Sequence, residues 1–210
     1  MTEQKYIYVV FVKALTGLGK FSRMLNHYEY THIAVSLDGV LEDFVTFSRK
    51  AHHAPFMAGF MHEKREHYAF GPHKKVKVKV YKLPVSPVKY VKIQKYIEEI
   101  EQDEEYIFNL YGMLTMPILH GLPIYKAHNC MSFVSKIIKL SGVVRMKKPF
   151  YKYNIPDMDN LLSGFDAKVF YLEKKREDKA YMRKISILQN VKAFLSLNGK
   201  LIQRLMFKEG

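Results

Sequence analysis

A single cysteine, Cys130, stands in this chain of 210 residues. That scarcity excludes an internal disulfide and any metal site built from clustered thiolates. It makes a reducing cytosol (a cytoplasmic protein) the expected compartment. Long hydrophobic runs are missing too. No stretch of about 18 uncharged apolar residues occurs, so no helix is expected to span a membrane. The apolar residues 6–12, YIYVVFV, are too few for a secretory signal, follow Glu3 and Lys5, and precede no small-residue cleavage site. They read as a buried first strand. Acidic residues are the minority: 34 Lys and Arg face 20 Asp and Glu, a net charge of +14. Such a field attracts nucleic acid, anionic lipid or acidic polymers, although a merely solvated basic surface has the same composition. What the chain has in quantity is apolar residues, 48% of the total. That is enough for a sizeable core in one domain with an extension.

The patterning predicts an α+β fold. Strands are expected at residues 6–12, 31–37 and 40–47, the last two joined by the hairpin signal Asp38-Gly39. KVKVKV at 75–80 alternates strictly, giving a strand with one lysine-bearing face suited to guarding a sheet edge. Between these, residues 48–74 read as one long connection, of the kind that is usually functional. Ser86 and Pro87 mark a helix start, with Val88, Val91, Tyr96 and Ile100 at helical spacings and the acidic run 98–105 at its solvated end. A buried helix is expected from about Asn129 to a cap at Gly142, and a further strand at AKVFYL. Residues 173–210 carry ten Lys or Arg and four Asp or Glu. They read as a basic extension of amphipathic helices broken at Asn198-Gly199.

Cys130 falls at a helix start, where unpaired N–H groups and the helix dipole stabilise a thiolate. A general base is the second requirement. His32 lies in a strand. With a two-residue turn at Asp38-Gly39, Ala34 pairs with Asp43, and His32, Ala34, Ser36, Leu41, Asp43 and Val45 share one face. Asp43 would then orient the His32 ring. One more residue in the loop puts Glu42 or Thr46 on that face instead. The plain alternatives are a buried structural cysteine and a strand histidine bonded to backbone.

THIAVSLDG followed later by HNCMSFV resembles the circularly permuted branch of the NlpC/P60 superfamily, which includes the lecithin:retinol acyltransferase-like and YiiX-like bacterial proteins. In the unpermuted branch the cysteine helix precedes the histidine strand. DFVTFSRKAHHAPFMAGFMHE is similar to the SFGRK…GGF…E stretch of that branch, and YIFNLYGML to its Tyr-x-Tyr-Asn-x-x-Gly segment. The resemblance spans residues 6–172. It implies a papain-like core in which a small antiparallel sheet packs on the cysteine-bearing helix. It also implies Cys130 as nucleophile, His32 as base and Asp43 as the third polar residue. Arg49 and Glu63 fall at charged positions of the family loop, lining the substrate groove or pairing structurally. The chain departs from the pattern at Met131, where serine is common, and at Ser48, where the pattern has glycine. The implied activity is cysteine peptidase, amidase or acyl transfer on an amide or ester, with no metal or cofactor.

His52, His53, His62, His67 and His73 are spaced by 1, 9, 5 and 6 residues, which fits no standard zinc pattern. Gly17 and Gly19 lack phosphate-loop spacing and read as a turn. A second reading, from a different class, is an inactive papain-like scaffold whose basic surface binds nucleic acid or an anionic membrane.

Overall fold

The computed structural model describes residues 4–16, 23 and 28–207. The Gly17 and Gly19 turn lies outside them. Eight strands are described: β1 (Lys5–Val12), β2 (His32–Ser36), β3 (Phe44–Arg49), β4 (Ala58–Glu63), β5 (Lys75–Val85), β6 (Ile107–Phe108), β7 (Ala127–His128) and β8 (Ala167–Glu173). The helices are α1 (Arg65–Tyr68), α2 (Pro87–Gln102), α3 (Leu110–Leu114), α4 (Met116–Leu119), α5 (Cys130–Ser141), α6 (Ile155–Leu162) and α7 (Ile187–Met206). Six strands form one antiparallel sheet in the order β4-β3-β2-β1-β5-β8. The chain is therefore α+β, as its patterning predicts.

Alternation along the strands divides the core between the two faces of the sheet. Ile7, Val9, Phe11, Ile33, Val35, Val45 and Phe47 face the helices, with Phe133, Val134, Ile137 and Ile138 of α5 against them. Phe133 meets Phe47 and Phe60 at ring distances of 5.4 and 5.8 Å. Burying a side chain of this kind stabilises by about 1.5–3 kcal/mol, so α5 is anchored firmly on β2 and β3. On the opposite face Val10, Val12, Ala34, Phe44, Tyr68, Val76, Val78 and Leu172 form a second cluster.

Several expectations need correction. The span 48–74 is not one loop: it holds β4 and α1. The lysine face of β5 guards no edge, because β5 lies between β1 and β8. Lys77 and Lys79 pair instead with Glu29 and Asp159. Helix α2 buries Ile93, Ile97 and Ile100, whereas Val88 and Val91 face outward. The tail shows no break at Asn198-Gly199. Helix α7 runs through it and sinks Leu197 and Leu201 into the main core.

The approach to α5 depends on a close contact. Gly121 has φ +98°, and a Cβ there would lie 2.2 Å from the Tyr151 carbonyl oxygen. A side chain at this position meets both a disfavoured backbone conformation and a backbone atom that cannot step aside. Gly121→Ala is expected to destabilise the protein by at least about 2 kcal/mol, measured as a shift in the urea midpoint. A midpoint equal to wild type would contradict this account of the loop.

Candidate active site

Asn129 sets the start of α5. It is extended, its Oδ1 accepts the Ser132 N–H at 2.9 Å, and Ser132 Oγ accepts the Asn129 N–H at 3.0 Å. This reciprocal cap makes Cys130 the first helical residue. Its N–H is among those without an intrahelical acceptor, and the positive end of the helix dipole lies at its half-buried thiol.

The segment leading into the helix is braced from below. Strand β7 runs parallel to β6, and the Asn109 N–H donates to the His128 carbonyl at 2.8 Å. Asn109 Oδ1 accepts the Gly112 N–H at 2.7 Å, and its Nδ2 donates to the Leu122 carbonyl at 2.8 Å. A Cβ on Gly112 would sit 2.8 Å from that amide nitrogen. The Asn-x-x-Gly spacing thus has a steric cause: glycine leaves room for the buried asparagine. His128, two residues before the cysteine, has both ring nitrogens engaged, with Tyr96 Oη at 3.1 Å and Ser132 Oγ at 3.2 Å. Burial, then the Lys136 charge, lowers its pKa to about 4, so it is neutral.

His32 opens β2 with a side chain 15% exposed. Its Nε2 lies 2.7 Å from Glu63 Oε2, and the Cys130 side chain is among the neighbours that act on the same imidazole. With Nε2 committed to Glu63, Nδ1 is the nitrogen left for the sulfur. Burial alone would disfavour the imidazolium. The Glu63 charge first, and the Cys130 side chain next, outweigh that penalty and raise the His32 pKa to about 10. Glu63 is itself buried, and burial pushes its carboxyl up. The His32 charge and hydrogen bonds, among them the Ser48 hydroxyl donating to Oε1 at 2.6 Å, reverse that effect and hold it below the usual range. The Tyr68 ring packs 5.9 Å from His32. Burial, then the nearby Glu63 charge, pushes its hydroxyl far up.

The carboxylate on His32 is therefore Glu63 and not Asp43. The reason is the turn. Asp38 caps four successive N–H groups, of Val40, Leu41, Glu42 and Asp43, with its own carboxylate. Leu41 takes φ +58°. The loop is longer than two residues, and Val35 pairs with Val45. Counting out along both strands from that pair, Ser48 comes level with His32, and Asp43 no longer pairs with Ala34 or shares the His32 face. Asp43 instead binds His62 Nδ1 at 2.7 Å, with Glu101 3.3 Å from the other ring nitrogen, at the surface. The alternatives fall away as well: Glu42 is exposed and pairs with Lys175, and buried Thr46 donates to the Ile33 carbonyl at 2.9 Å. Arg49 does not join Glu63. It donates to the Tyr181 hydroxyl at 3.1 Å and the His52 carbonyl at 3.0 Å, tying β3 to the segment after β8. Among the described residues no group of three or more His, Cys, Asp or Glu could hold a metal ion.

Comparison with family models, with curated proteins and with solved structures finds no match for this chain.

The His32–Glu63 pair couples stability to pH. A raised histidine pKa contributes stability fully below about 6.5, and the contribution fades as pH rises toward about 10. A lowered carboxyl contributes above its unfolded value of about 4.3 and fades as pH falls through its folded one. The pair therefore contributes most between roughly pH 4.5 and 6.5. Removing one partner of a buried pair typically costs about 3–5 kcal/mol. Glu63→Gln is expected to show its largest melting-temperature deficit in that window and a shrinking one toward pH 10. A deficit independent of pH would contradict the linkage.

Proposed function

We propose that this chain is a thiol hydrolase, a cysteine peptidase or amidase with a papain-like core of the permuted NlpC/P60 kind. Cys130 is its nucleophile, His32 its general base and Glu63 the residue that orients the base. The observation that carries the reading is a buried imidazole paired with a buried carboxylate at 2.7 Å, its pKa raised by that carboxylate and by the lone thiol at a helix N-terminus. Glu63 replaces Asp43 in the expected triad. Glu63 falls at a charged position of the family stretch.

In this reading the Cys130 thiolate attacks the carbonyl carbon of an amide or ester, and the carbonyl electrons move onto oxygen. The first N–H groups of α5 stabilise that oxyanion. The His32 imidazolium donates its proton to the departing amine or alcohol, leaving a thioester. Water then attacks the thioester, giving its proton to His32, and the acid product leaves with regeneration of the thiolate–imidazolium pair. Glu63 keeps Nε2 occupied, so that one tautomer and one ring orientation face the sulfur.

Alkylation of Cys130 by iodoacetamide tests the pair without a known substrate. At pH 6 the wild type is expected to react at least about tenfold faster than His32→Ala, which lacks the imidazolium that would stabilise a thiolate. Glu63→Gln is expected to fall toward His32→Ala, and Asp43→Asn to match wild type. Equal rates in wild type and His32→Ala would make Cys130 structural and end the hydrolase reading.

A further inference from the structure

Helix α7 leaves an apolar face uncovered. Its inner side is fixed by buried Leu197 and Leu201, by Asn190 Nδ2 on the His53 carbonyl (3.1 Å) and by Arg204 on three carbonyls, of Glu105, Tyr125 and Lys126. The helix therefore cannot roll to bury its other residues. Ile187, Val191, Leu195, Ile202 and Leu205 follow one another at helical spacings on one exposed stripe, Ile187 being 84% and Leu195 62% exposed. The Tyr111 hydroxyl donates to Asn198 Oδ1 at 2.8 Å and brings α3 and α4 alongside that stripe. There Met113, Leu114, Ile118 and Leu119 are also exposed, Ile118 by 80%. The α7 stripe runs along a helix about 30 Å long, and the Tyr111–Asn198 hydrogen bond sets α3 beside it. Isolated exposed apolar residues need no explanation, but a contiguous set of this size marks a contact surface.

Charge selects the partner. The two segments that build this surface contain no acidic residue. None occurs between Glu105 and Asp157, where there are seven Lys or Arg, and none between Asp178 and Glu209, where there are seven more. Lys192 and Lys200 stand exposed on α7 itself. Glu104 and Glu105 line a cavity with Lys200 and Arg204 at the C-terminal end of α7, but the segments themselves are net basic, and a second copy seated on this face would bring two such segments together, which like-charge repulsion disfavours. Nucleic acid would match the charge, but it is held by aromatic stacking and phosphate contacts, and the exposed stripes are aliphatic. We propose that α7 with α3 and α4 forms an interfacial docking surface for an anionic lipid bilayer. The aliphatic stripe enters the headgroup–acyl boundary, and Lys192 beside it meets lipid phosphates. Among the described residues no helix is long and apolar enough to cross a membrane, so the docking is peripheral.

The test is flotation of the full chain with vesicles of equal parts phosphatidylglycerol and phosphatidylcholine, against vesicles of phosphatidylcholine alone. Binding is expected to the mixed vesicles, at least about tenfold weaker in each of Leu195→Glu and Ile118→Glu, whose side chains are exposed in the free protein. Light scattering and thermal melts establish that both variants remain folded and monomeric. Cys130→Ser is expected to bind as wild type, which separates this proposal from the hydrolase reading. Absence of binding to the mixed vesicles, or equal binding by the two glutamate variants, overturns the proposal. Equal binding to neutral vesicles overturns its electrostatic half. A wild-type dimer that Leu195→Glu converts to monomer would assign the face to a second copy and overturn it too.

Discussion

A carboxylate and an imidazole buried against one another at the sheet end of the cysteine helix are the constraint around which this molecule is arranged. Neither Glu63 nor His32 could be withdrawn from water alone, because an isolated buried charge costs several kcal/mol or more. Together they satisfy each other, and Ser48 satisfies the second carboxylate oxygen. Holding them there requires three strands in register, β2 for His32, β3 for Ser48 and β4 for Glu63. It also requires a helix whose first residue is Cys130. The hydrophobic packing of α5 on β2 and β3 and the polar contact at its N-terminus are thus two parts of one arrangement. Sliding α5 along the sheet would move the sulfur away from the imidazole.

The turn between β2 and β3 shows how local chemistry decides a distant partner. Asp38-Gly39 reads as a two-residue hairpin, but the Asp38 carboxylate gathers four backbone N–H groups and lengthens the loop. That shift in register moves Asp43 out to His62 and brings Ser48 level with His32. The Ser48 hydroxyl, donating to Glu63 Oε1, closes the shell around that carboxylate.

The outer parts of the chain obey a different physics. Tyr181 stacks on His67 at 4.4 Å and receives Arg49, pinning residues 174–186 across the back of the sheet. Helix α7 follows and shares the main core through Leu197 and Leu201. Its remaining apolar residues have no counterpart inside the protein. An apolar surface that the fold leaves open, carried on segments purged of acidic residues, suits an amphipathic boundary better than bulk water.

Much of this was legible in the residues alone. A short apolar run marked β1 and strict alternation β5, Asn129 and Gly142 bracketed the cysteine helix, and Pro87 marked the start of α2, because these signals act within a turn or two of the chain. The expectation that Cys130 and His32 act together rested on the joint order of two motifs. The identity of the third residue was not. Glu63 lies in a strand that the glycines and histidines around it disguise as loop, and its approach to His32 depends on the register of two neighbouring strands. The inward face of α2 and the continuity of α7 through Asn198-Gly199 were likewise settled by what each helix packs against. The amino-acid sequence by itself determined which residues could form a nucleophile and a cap, since those properties belong to side chains and their near neighbours. Which carboxylate reaches the histidine, and which apolar face stays uncovered, only the tertiary structure decided, because both depend on groups far apart in the chain being brought to a few ångströms by strand pairing and packing.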